Sequence, residues 1–271
     1  MEKLGILDSG VGGLTVLKKI IDSNIFQEII YFADSKYFPY GIKPVNFIKQ
    51  RTEEIIEFFI SKEVNEIIIA CNTASSIAYE YLKSKFSTPL YNIVEPAISG
   101  IERFKGERIG VLATRRTLES GIYPLLINKK YPYIDVFVES CSEGPLLEII
   151  EEGIIEGEVI ESEIYRCMKP LLEKNIQGII LGCTHLPFIS PIIRKNYKDL
   201  FVIDPSEEIL NILRIKRDIN MGKEIKVNIY VSSDAFKFQE KVHRLLKTNY
   251  DIEEIDLERS EKIAFKGEIN R

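Results

Sequence analysis

The chain has 271 residues, a length that fits one large domain or two compact ones. Hydrophobic residues make up 45% and charged residues 28% of the chain, an ordinary globular balance, and no apolar run approaches the roughly 20 residues needed to cross a bilayer. The net charge is −5 and the basic residues form no dense cluster, so we expect neither a nucleic acid nor a membrane as a partner.

The beginning of the chain, MEKLGILDSG, has no basic leader followed by an apolar segment, so we expect a cytoplasmic protein. The four cysteines are widely spaced and include no CxxC pair, which predicts free thiols in a reducing compartment. With only two histidines, a metal cage of histidine and cysteine would be hard to build, and we expect no metal. A free cysteine is usually a small buried hydrophobe, and we interpret Cys141 and Cys167 in this way.

Short apolar segments rich in β-branched residues recur along the chain and predict strands. Several of them, such as EIIIA and GIIL, are apolar almost throughout, which is typical of parallel strands buried on both faces. The predicted strands are Leu4–Leu7, Glu28–Phe32, Glu66–Ala70, Leu90–Val94, Arg108–Leu112, Ile134–Val138, Gly178–Leu181, Leu200–Ile203 and Lys226–Val231.

Between these strands, apolar residues recur at the spacing of amphipathic helices. The alternation of strands and helices predicts an α/β fold, in which each of two lobes has a mostly parallel sheet flanked by helices. The helical patterns cover Val45–Ile60, Val159–Leu172, Pro205–Arg217 and Ser233–Leu246.

An internal repeat supports two related lobes. The opening Gly-Ile-Leu-Asp-Ser at residues 5–9 is echoed by Gly-Val-Leu-Ala-Thr at residues 110–114. Later in each half an apolar strand ends in a cysteine, first as IIIA before Cys71 and then as IILG before Cys183. We expect the active site in the cleft between two pseudo-symmetric lobes.

The last part of the chain adds one strand and two helices after the second lobe. We expect this part to return and complete the first lobe, which makes that domain discontinuous. The predicted first lobe is 1–94 plus 208–271, and the predicted second lobe is 95–207.

Short polar side chains follow several of the predicted strands. In open parallel sheets, ligands bind outside the carboxyl ends of the strands, so two facing lobes would place one cysteine on each side of a common cleft. Hydroxyl and amide groups there, together with backbone N–H groups at helix starts, can hold a carboxylate. The residues at these ends are Asp8, Ser9, Cys71, Asn72, Thr73, Thr114, Cys183, Thr184 and His185.

Two cysteines on opposite sides of an amino acid suit racemisation, because each can act as thiolate base or as thiol acid. A free cysteine has a pKa of about 8.5, so each sulfur needs a neighbour to accept or steer its proton. Asp8 and His185 are the candidates for that role. An alternative is that Asp8 only caps a helix beginning near Gly12.

Four motifs appear in order along the chain: DSGVGGLTV at residues 8–16, PYG at 39–41, IIACNTAS at 68–75 and LGCTHLPF at 181–188. Together they resemble the motifs of the glutamate racemases, in the aspartate/glutamate racemase superfamily. The resemblance covers most of the chain and implies a cofactor-independent isomerase that interconverts L- and D-glutamate, without pyridoxal phosphate or metal. It also implies the supply of D-glutamate for peptidoglycan in the cell wall, and a homodimer.

The resemblance implies that Cys71 and Cys183 are the acid/base pair. It implies substrate contacts from Asp8, Ser9, Tyr40, Gly41, Asn72, Thr73, Thr184 and His185. We add Thr114 to these candidates because it also follows a predicted strand. Many family members have a proline-rich Ala-Cys-Pro stretch before Glu-Glu-Gly, whereas this chain reads SCSEGPLLEIIEEG at residues 140–153. Either Glu151 or Glu152 could therefore be the matching supporting carboxylate.

Three alternative functions remain open at this point. A racemase of aspartate or another acidic amino acid would use the same chemistry. A nucleotide- or phosphate-binding module could use the glycines of residues 10–13, although Thr15 stands where the third glycine of GxGxxG belongs. A thiol redox protein ranks last because the chain has no closely spaced cysteine pair.

Overall fold

The computed structural model describes residues 2–214 and 225–257. These residues form two separate sheets, and every strand pair in both sheets is parallel. The α/β fold with two helix-flanked parallel sheets is therefore confirmed. The strands are β1 Lys3–Asp8, β2 Glu28–Ala33, β3 Glu66–Ile69, β4 Leu90–Asn92, β5 Arg108–Ala113, β6 Asp135–Ser140, β7 Gly178–Gly182, β8 Phe201–Ile203, β9 Lys226–Val231 and β10 Ile252–Glu254.

The first sheet has the strand order β10-β9-β2-β1-β3-β4, and the second has the order β6-β5-β7-β8. The central strands β1 and β7 are therefore paired on both sides. In the first sheet Asp8 pairs with Ala33, and in the second Ala113 pairs with Gly182. This register aligns the carboxyl ends of neighbouring strands. The polar residues predicted above lie at or just after these ends.

Helices connect the strands and cover the faces of both sheets. They are α1 Leu14–Ser23, α2 Val45–Ser61, α3 Asn72–Lys85, α4 Val94–Gly100, α5 Arg115–Glu119, α6 Ile122–Lys130, α7 Leu146–Glu151, α8 Glu158–Leu172, α9 Leu186–Asn196, α10 Pro205–Arg214 and α11 Ala235–Leu246. None of the described helices is both long enough and apolar enough to cross a bilayer.

Alternation of side chains along β1 shows how the sheet is buried on both faces. Leu4 and Ile6 lie on one face, in a core cluster with Leu17 of α1. Leu7 lies on the opposite face, in a second cluster with Phe59 of α2. Each fully buried side chain of this kind stabilises the fold by about 1.5–3 kcal/mol, which explains the uninterrupted apolar sequence of these strands.

Several predicted boundaries need correction. The strand predicted over Leu90–Val94 ends at Asn92, because α4 begins at Val94. The helix predicted over Ser233–Leu246 begins at Ala235, because Asp234 caps it by accepting a hydrogen bond from the Lys237 N–H at 3.1 Å. The helix predicted over Pro205–Arg217 is observed to Arg214, and its last three residues lie outside the described residues.

The part of the chain after α10 returns to the first sheet. Strand β9 pairs with β2 over six residues, and β10 pairs with β9 at the edge. The predicted division at 94/95 and 207/208 stays a prediction, and 215–224 and 258–271 within it lie outside the described residues.

Candidate active site

The two predicted catalytic cysteines lie directly after central strands of the two sheets. Cys71 follows β3 and Cys183 follows β7, and their exposed fractions are only 5% and 6%. Asp8, at the end of β1, is fully buried beside them, and its Oδ2 accepts a hydrogen bond from the Thr184 hydroxyl at 2.9 Å. This bond joins the strand ends of the two sheets, so both sulfurs lie at one buried junction.

Cys71 is held as a thiol. Its sulfur caps α3 by accepting from the Ala74 N–H at 3.5 Å, and its S–H lies 3.8 Å from the Ser9 hydroxyl. Burial, together with the negative charge of Asp8, raises the pKa of Cys71 to about 12. The negative charge of Cys183 contributes to the same upward shift, which is consistent with both sulfurs lying at this junction.

Cys183 has the opposite environment. The neighbouring Cys141 thiol lowers the pKa of Cys183 well below its usual value, and His185 lowers it as well, against the effect of burial. The distance from Cys183 Sγ to His185 Nδ1 is 3.8 Å. Near neutral pH this geometry favours a Cys183 thiolate beside a His185 imidazolium.

Cys141, which the sequence indicates only as a core residue, has a second role. It is fully buried in the core, as that interpretation requires, but its thiol also acts on Cys183 by lowering the pKa of that sulfur. The signal that could have found it is its position, since it directly follows β6 at the same sheet edge as Cys183.

His185 is fixed by a carboxylate on its other side. Its Nε2 lies 2.9 Å from Glu151 Oε2, and the Val11 N–H donates to the same oxygen at 3.0 Å. Burial opposes protonation of this imidazole, but the hydrogen bonds to Cys183 and Glu151 outweigh it and raise the pKa of His185 to about 10. Of the two candidate glutamates, Glu151 is therefore the one in the site, whereas the Glu152 side chain is 61% exposed.

Asp8 does not cap the following helix. That helix begins at Leu14, with Gly13 at its N-cap and no side-chain capping bond. Instead, Asp8 Oδ1 accepts from the Gly10 N–H at 3.0 Å, within the turn after β1. Burial raises the pKa of Asp8 to about 6, against the opposing effect of the positive charge on His185.

A cluster of hydroxyl and amide groups borders the cysteines. The Thr73 hydroxyl lies 2.9 Å from that of Thr114, and both are within hydrogen-bond distance of Thr117. Tyr123 donates to Asn72 Oδ1 at 2.6 Å, while Asn72 Nδ2 is buried and finds no acceptor among the described residues. An orphaned buried donor is costly, so this amide is suited to a carboxylate ligand. Sequence reasoning missed Thr117 and Tyr123, which lie inside helices away from the strand ends.

Tyr40 and Gly41 lie in a loop that packs across the site. The Tyr40 hydroxyl donates to Asp34 Oδ2 at 2.6 Å, and Arg51 binds the same carboxylate at 2.8 Å. Gly41 approaches Thr114 so closely that a Cβ atom there would lie 3.0 Å from the threonine Cβ. The Tyr40 hydroxyl is thus held by Asp34, and Gly41 lies against Thr114 at the cluster of hydroxyl groups.

The glycines after β1 serve close packing between the sheets. A Cβ at Gly12 would lie 2.2 Å from Thr184 Oγ1 and 2.6 Å from His185 Nδ1. The N–H groups of Gly10 and Val11 already donate to Asp8 and Glu151. A phosphate loop needs such N–H groups for its ligand, so the geometry disfavours the phosphate-binding alternative.

The arrangement offers no recognisable metal site: within residues 2–214 and 225–257, no three His, Cys, Asp or Glu side chains are grouped to hold an ion. The chemistry that these residues can supply is proton transfer by two thiols at a junction bordered by carboxylate-binding donors.

Comparison with known proteins agrees with this chemistry. Residues 14–213 match the model of the Asp/Glu/Hydantoin racemase family. Glutamate racemase 2 of Caldanaerobacter subterraneus subsp. tengcongensis is 35% identical over 263 residues, which cover 94% of this chain and 98% of that protein. The solved structure of a glutamate racemase isoform from Bacillus anthracis has a TM-score of 0.87 at 27% identity and covers 94% of this chain and 98% of that one. The glutamate racemase of Francisella tularensis subsp. tularensis, solved in complex with D-glutamate, has a TM-score of 0.82 at 33% identity, with the same two coverages.

Proposed function

The chain belongs to the Asp/Glu/hydantoin racemase family, and on that premise we propose that it interconverts L- and D-glutamate by two-cysteine acid/base catalysis. The observation that carries this proposal is the pair of buried sulfurs after strands of the two sheets, one beside the Ser9 hydroxyl and the other 3.8 Å from the His185 ring nitrogen. Cys183 is poised as a thiolate and Cys71 as a thiol. Inversion at Cα requires one base that removes the proton from one face and one acid that donates a proton to the opposite face.

In one direction, the Cys183 thiolate removes the Cα proton from one face of the substrate, and the Cys71 thiol donates its proton to the opposite face. The products of this step are a Cys183 thiol and a Cys71 thiolate, which is the pair that the other enantiomer needs. Asp8 interacts electrostatically with both sulfurs, and its pKa of about 6 allows it to exchange protons as they return to the starting arrangement.

The α-carboxylate of the substrate is held by groups that are already in place. Asn72 Nδ2 is the unpaired donor, and the hydroxyls of Thr73 and Thr114 lie beside it. Backbone N–H groups at the start of α3 add the positive end of a helix dipole. These donors also stabilise the negative charge that develops when the Cα proton is removed, so we propose a reaction without pyridoxal phosphate or metal.

Glutamate is proposed over aspartate because the relatives reported above are glutamate racemases, one of them solved with D-glutamate. The competing substrate is tested by comparing the racemisation rates of L-glutamate and L-aspartate. A clear preference for aspartate would overturn the substrate assignment.

The biological setting follows from the same family membership. We propose that the product D-glutamate supplies peptidoglycan synthesis in the cytoplasm, and that the enzyme works as a homodimer. Size-exclusion chromatography with light scattering tests the dimer, and complementation of a strain that requires D-glutamate tests the cell-wall role.

The decisive experiment follows the optical rotation of pure L-glutamate with enzyme and no added cofactor. In heavy water, deuterium should appear at Cα of the product. Cys71→Ala and Cys183→Ala should each abolish racemisation, since each removes the base for one enantiomer and the acid for the other. Cys167→Ala, which removes a buried thiol on α8, is the control and should remain active. Racemisation retained by either of the first two variants would contradict the two-base mechanism.

A further inference from the structure

Lys241 contacts the carboxylate that supports the site. It lies on α11, in the part of the chain that returns to the first sheet, and its side chain is 17% exposed. Its Nζ lies 3.6 Å from Glu151 Oε1 and 3.0 Å from Glu152 Oε1. Lys241 therefore forms ion pairs with two carboxylates, one buried and one at the surface.

The two oxygens of Glu151 have different partners. Oε2 accepts from the Val11 N–H and contacts His185 Nε2. Oε1 has Lys241 as its only ionic contact within the described residues. A buried charge needs compensation, and without Lys241 the cavity of about 270 Å³ beside Glu151 would keep Lys237 as its one remaining ammonium among the described lining residues, against several carboxylates.

The charges around Glu151 come from several elements. The cavity between α7 and α11 carries more carboxylates than ammonium groups, so removal of one ammonium leaves a strongly negative surrounding. The titratable groups around Glu151 and its partner His185 are Asp8 at the end of β1, Tyr31 of β2, Cys183 after β7, Glu148 and Glu152 of the α7 region, and Asp234, Lys237 and Lys241 of the α11 region.

The contact also connects elements from the two sheets. The adjacent Arg244 donates to the Glu152 backbone carbonyl at 3.0 Å and packs against Gly153, so α11 holds the end of α7 at two points. Lys241 forms the ionic contacts with the two glutamates, and Arg244 forms the hydrogen bond to the backbone. A purely surface ion pair would show neither the burial of Glu151 nor this second attachment.

We propose that Lys241 is a positioning residue that acts through Glu151 and His185 to keep Cys183 ionised, an inference that rests on the proposed function for its catalytic consequence. The ammonium neutralises Glu151 Oε1 and fixes the carboxylate, so that Oε2 stays directed at His185 Nε2. An imidazolium held in this way stabilises the thiolate on its other side. Lys241 touches neither the substrate nor the reacting atoms.

The test compares Lys241→Met and Lys241→Gln with Lys241→Arg, and with Lys237→Met as matched control. Lys237 lies one turn earlier on α11 and borders the same cavity, but its ion pair is with Asp234 at 3.0 Å. The first readout is the pH midpoint of thiolate formation, followed by ultraviolet absorbance without substrate. We expect Lys241→Met and Lys241→Gln to raise this midpoint by about one pH unit, which is equivalent to a tenfold loss of thiolate. Lys241→Arg and the control Lys237→Met should have a midpoint near that of the unchanged protein.

The second readout separates kcat from KM for both enantiomers. We expect Lys241→Met to lower kcat by about tenfold with little change in KM, because the thiolate population falls while the carboxylate-binding donors stay in place. An unchanged thiolate midpoint in both folded Met and Gln variants would overturn the proposal, as would an equal effect of Lys237→Met. The absorbance readout does not need glutamate turnover, so failure of the unchanged protein to racemise glutamate would count against the proposed function alone.

Discussion

Cys71 and Cys183 have similar positions in the sequence, each after an apolar strand and close before a threonine, yet the surroundings shift the pKa values of the two sulfurs in opposite directions. Cys71 faces Asp8, and its thiol is retained, whereas Cys183 faces the Cys141 thiol and the His185 ring. Sequence context identified both as candidates, but only the three-dimensional surroundings show how the pKa values of the two thiols differ.

This difference predicts one thiolate per chain near neutral pH. The pKa of Cys71 is raised to about 12 and that of Cys167 to about 11, both chiefly by burial, and the pKa of Cys141 is raised by the neighbouring Cys183 and by burial. Ultraviolet titration of the thiolate should lose its neutral-pH signal in Cys183→Ser and retain it in Cys71→Ser. A signal that survives in Cys183→Ser would contradict the assignment.

Asp8 predicts a pH-dependent loss of stability. Its pKa is raised by burial from 3.8 to about 6, so between these values the folded protein keeps a proton that the unfolded chain has released. Stability therefore falls as the pH rises through that window, by up to about 3 kcal/mol for a shift of about two units. Urea unfolding from about pH 4 to about pH 7 should show this loss in the unchanged protein and not in Asp8→Asn. The exposed Asp22 is the control, and Asp22→Asn should keep the loss.

Most single residues of the candidate site could be predicted, because short polar side chains after buried strands are visible in the sequence. Arg51 and Tyr123 could not be predicted, since they lie outside the motifs and reach the site only through the packing of α2 and α6, whereas Asp34 directly follows β2 and was overlooked. The choice of Glu151 over Glu152 also required the three-dimensional structure, because adjacent residues point in different directions.

At the scale of elements, α2 holds the loop that contains Tyr40. Arg51 is buried and binds Asp34 through two guanidinium nitrogens, and Asp34 accepts the Tyr40 hydroxyl. The pKa of Arg51 is raised by the hydrogen bonds to Asp34 despite its burial, which keeps this pair charged. The buried ion pair between Arg51 and Asp34 therefore fixes the position of Tyr40.

Loss of this ion pair should destabilise the whole fold. Arg51→Met leaves Asp34 buried and uncompensated, and removal of one partner of a buried pair costs about 3–5 kcal/mol. Lys18→Met breaks an exposed pair with Asp22 and should change the free energy of unfolding little. Chemical denaturation compares the two variants, and equal losses would show that the buried pair has no special role.

The strands themselves were predicted well because both sheets are parallel and buried, which leaves long apolar runs. Strand β10 was missed because it has three residues, two of them exposed, at the edge of the first sheet. Its position depends on pairing with β9, and no local pattern in Ile252–Glu254 reports that pairing.

At the scale of the whole molecule, side chains from the two sheets meet directly at the site. Thr184 bonds Asp8, Tyr123 bonds Asn72, and the Thr73 and Thr114 hydroxyls meet. The repeat in the sequence indicated two related halves, but it did not show which pairs would join them. These contacts fix the side chains proposed to bind the carboxylate, and they also hold the two sheets together.

The bond between Tyr123 and Asn72 should matter for binding more than for chemistry. Tyr123→Phe removes the donor that fixes the Asn72 amide, at a cost of about 1 kcal/mol or fivefold in KM for glutamate, with a smaller change in kcat. Tyr165→Phe, at an exposed tyrosine of α8, is the control and should leave both constants unchanged. Steady-state kinetics in both directions make the measurement, and an unaltered KM in Tyr123→Phe would contradict this role.

The near-complete burial of both sulfurs has a kinetic consequence. Under the proposed function, glutamate must reach two sulfurs that are only 5% and 6% exposed, so we expect the two sheets to move apart for the substrate to enter and for its mirror image to leave. The protein must therefore open once for each molecule converted, and such motions take microseconds to milliseconds. Added glycerol or sucrose should slow turnover in proportion to solvent viscosity, because the walls of the site move through that solvent.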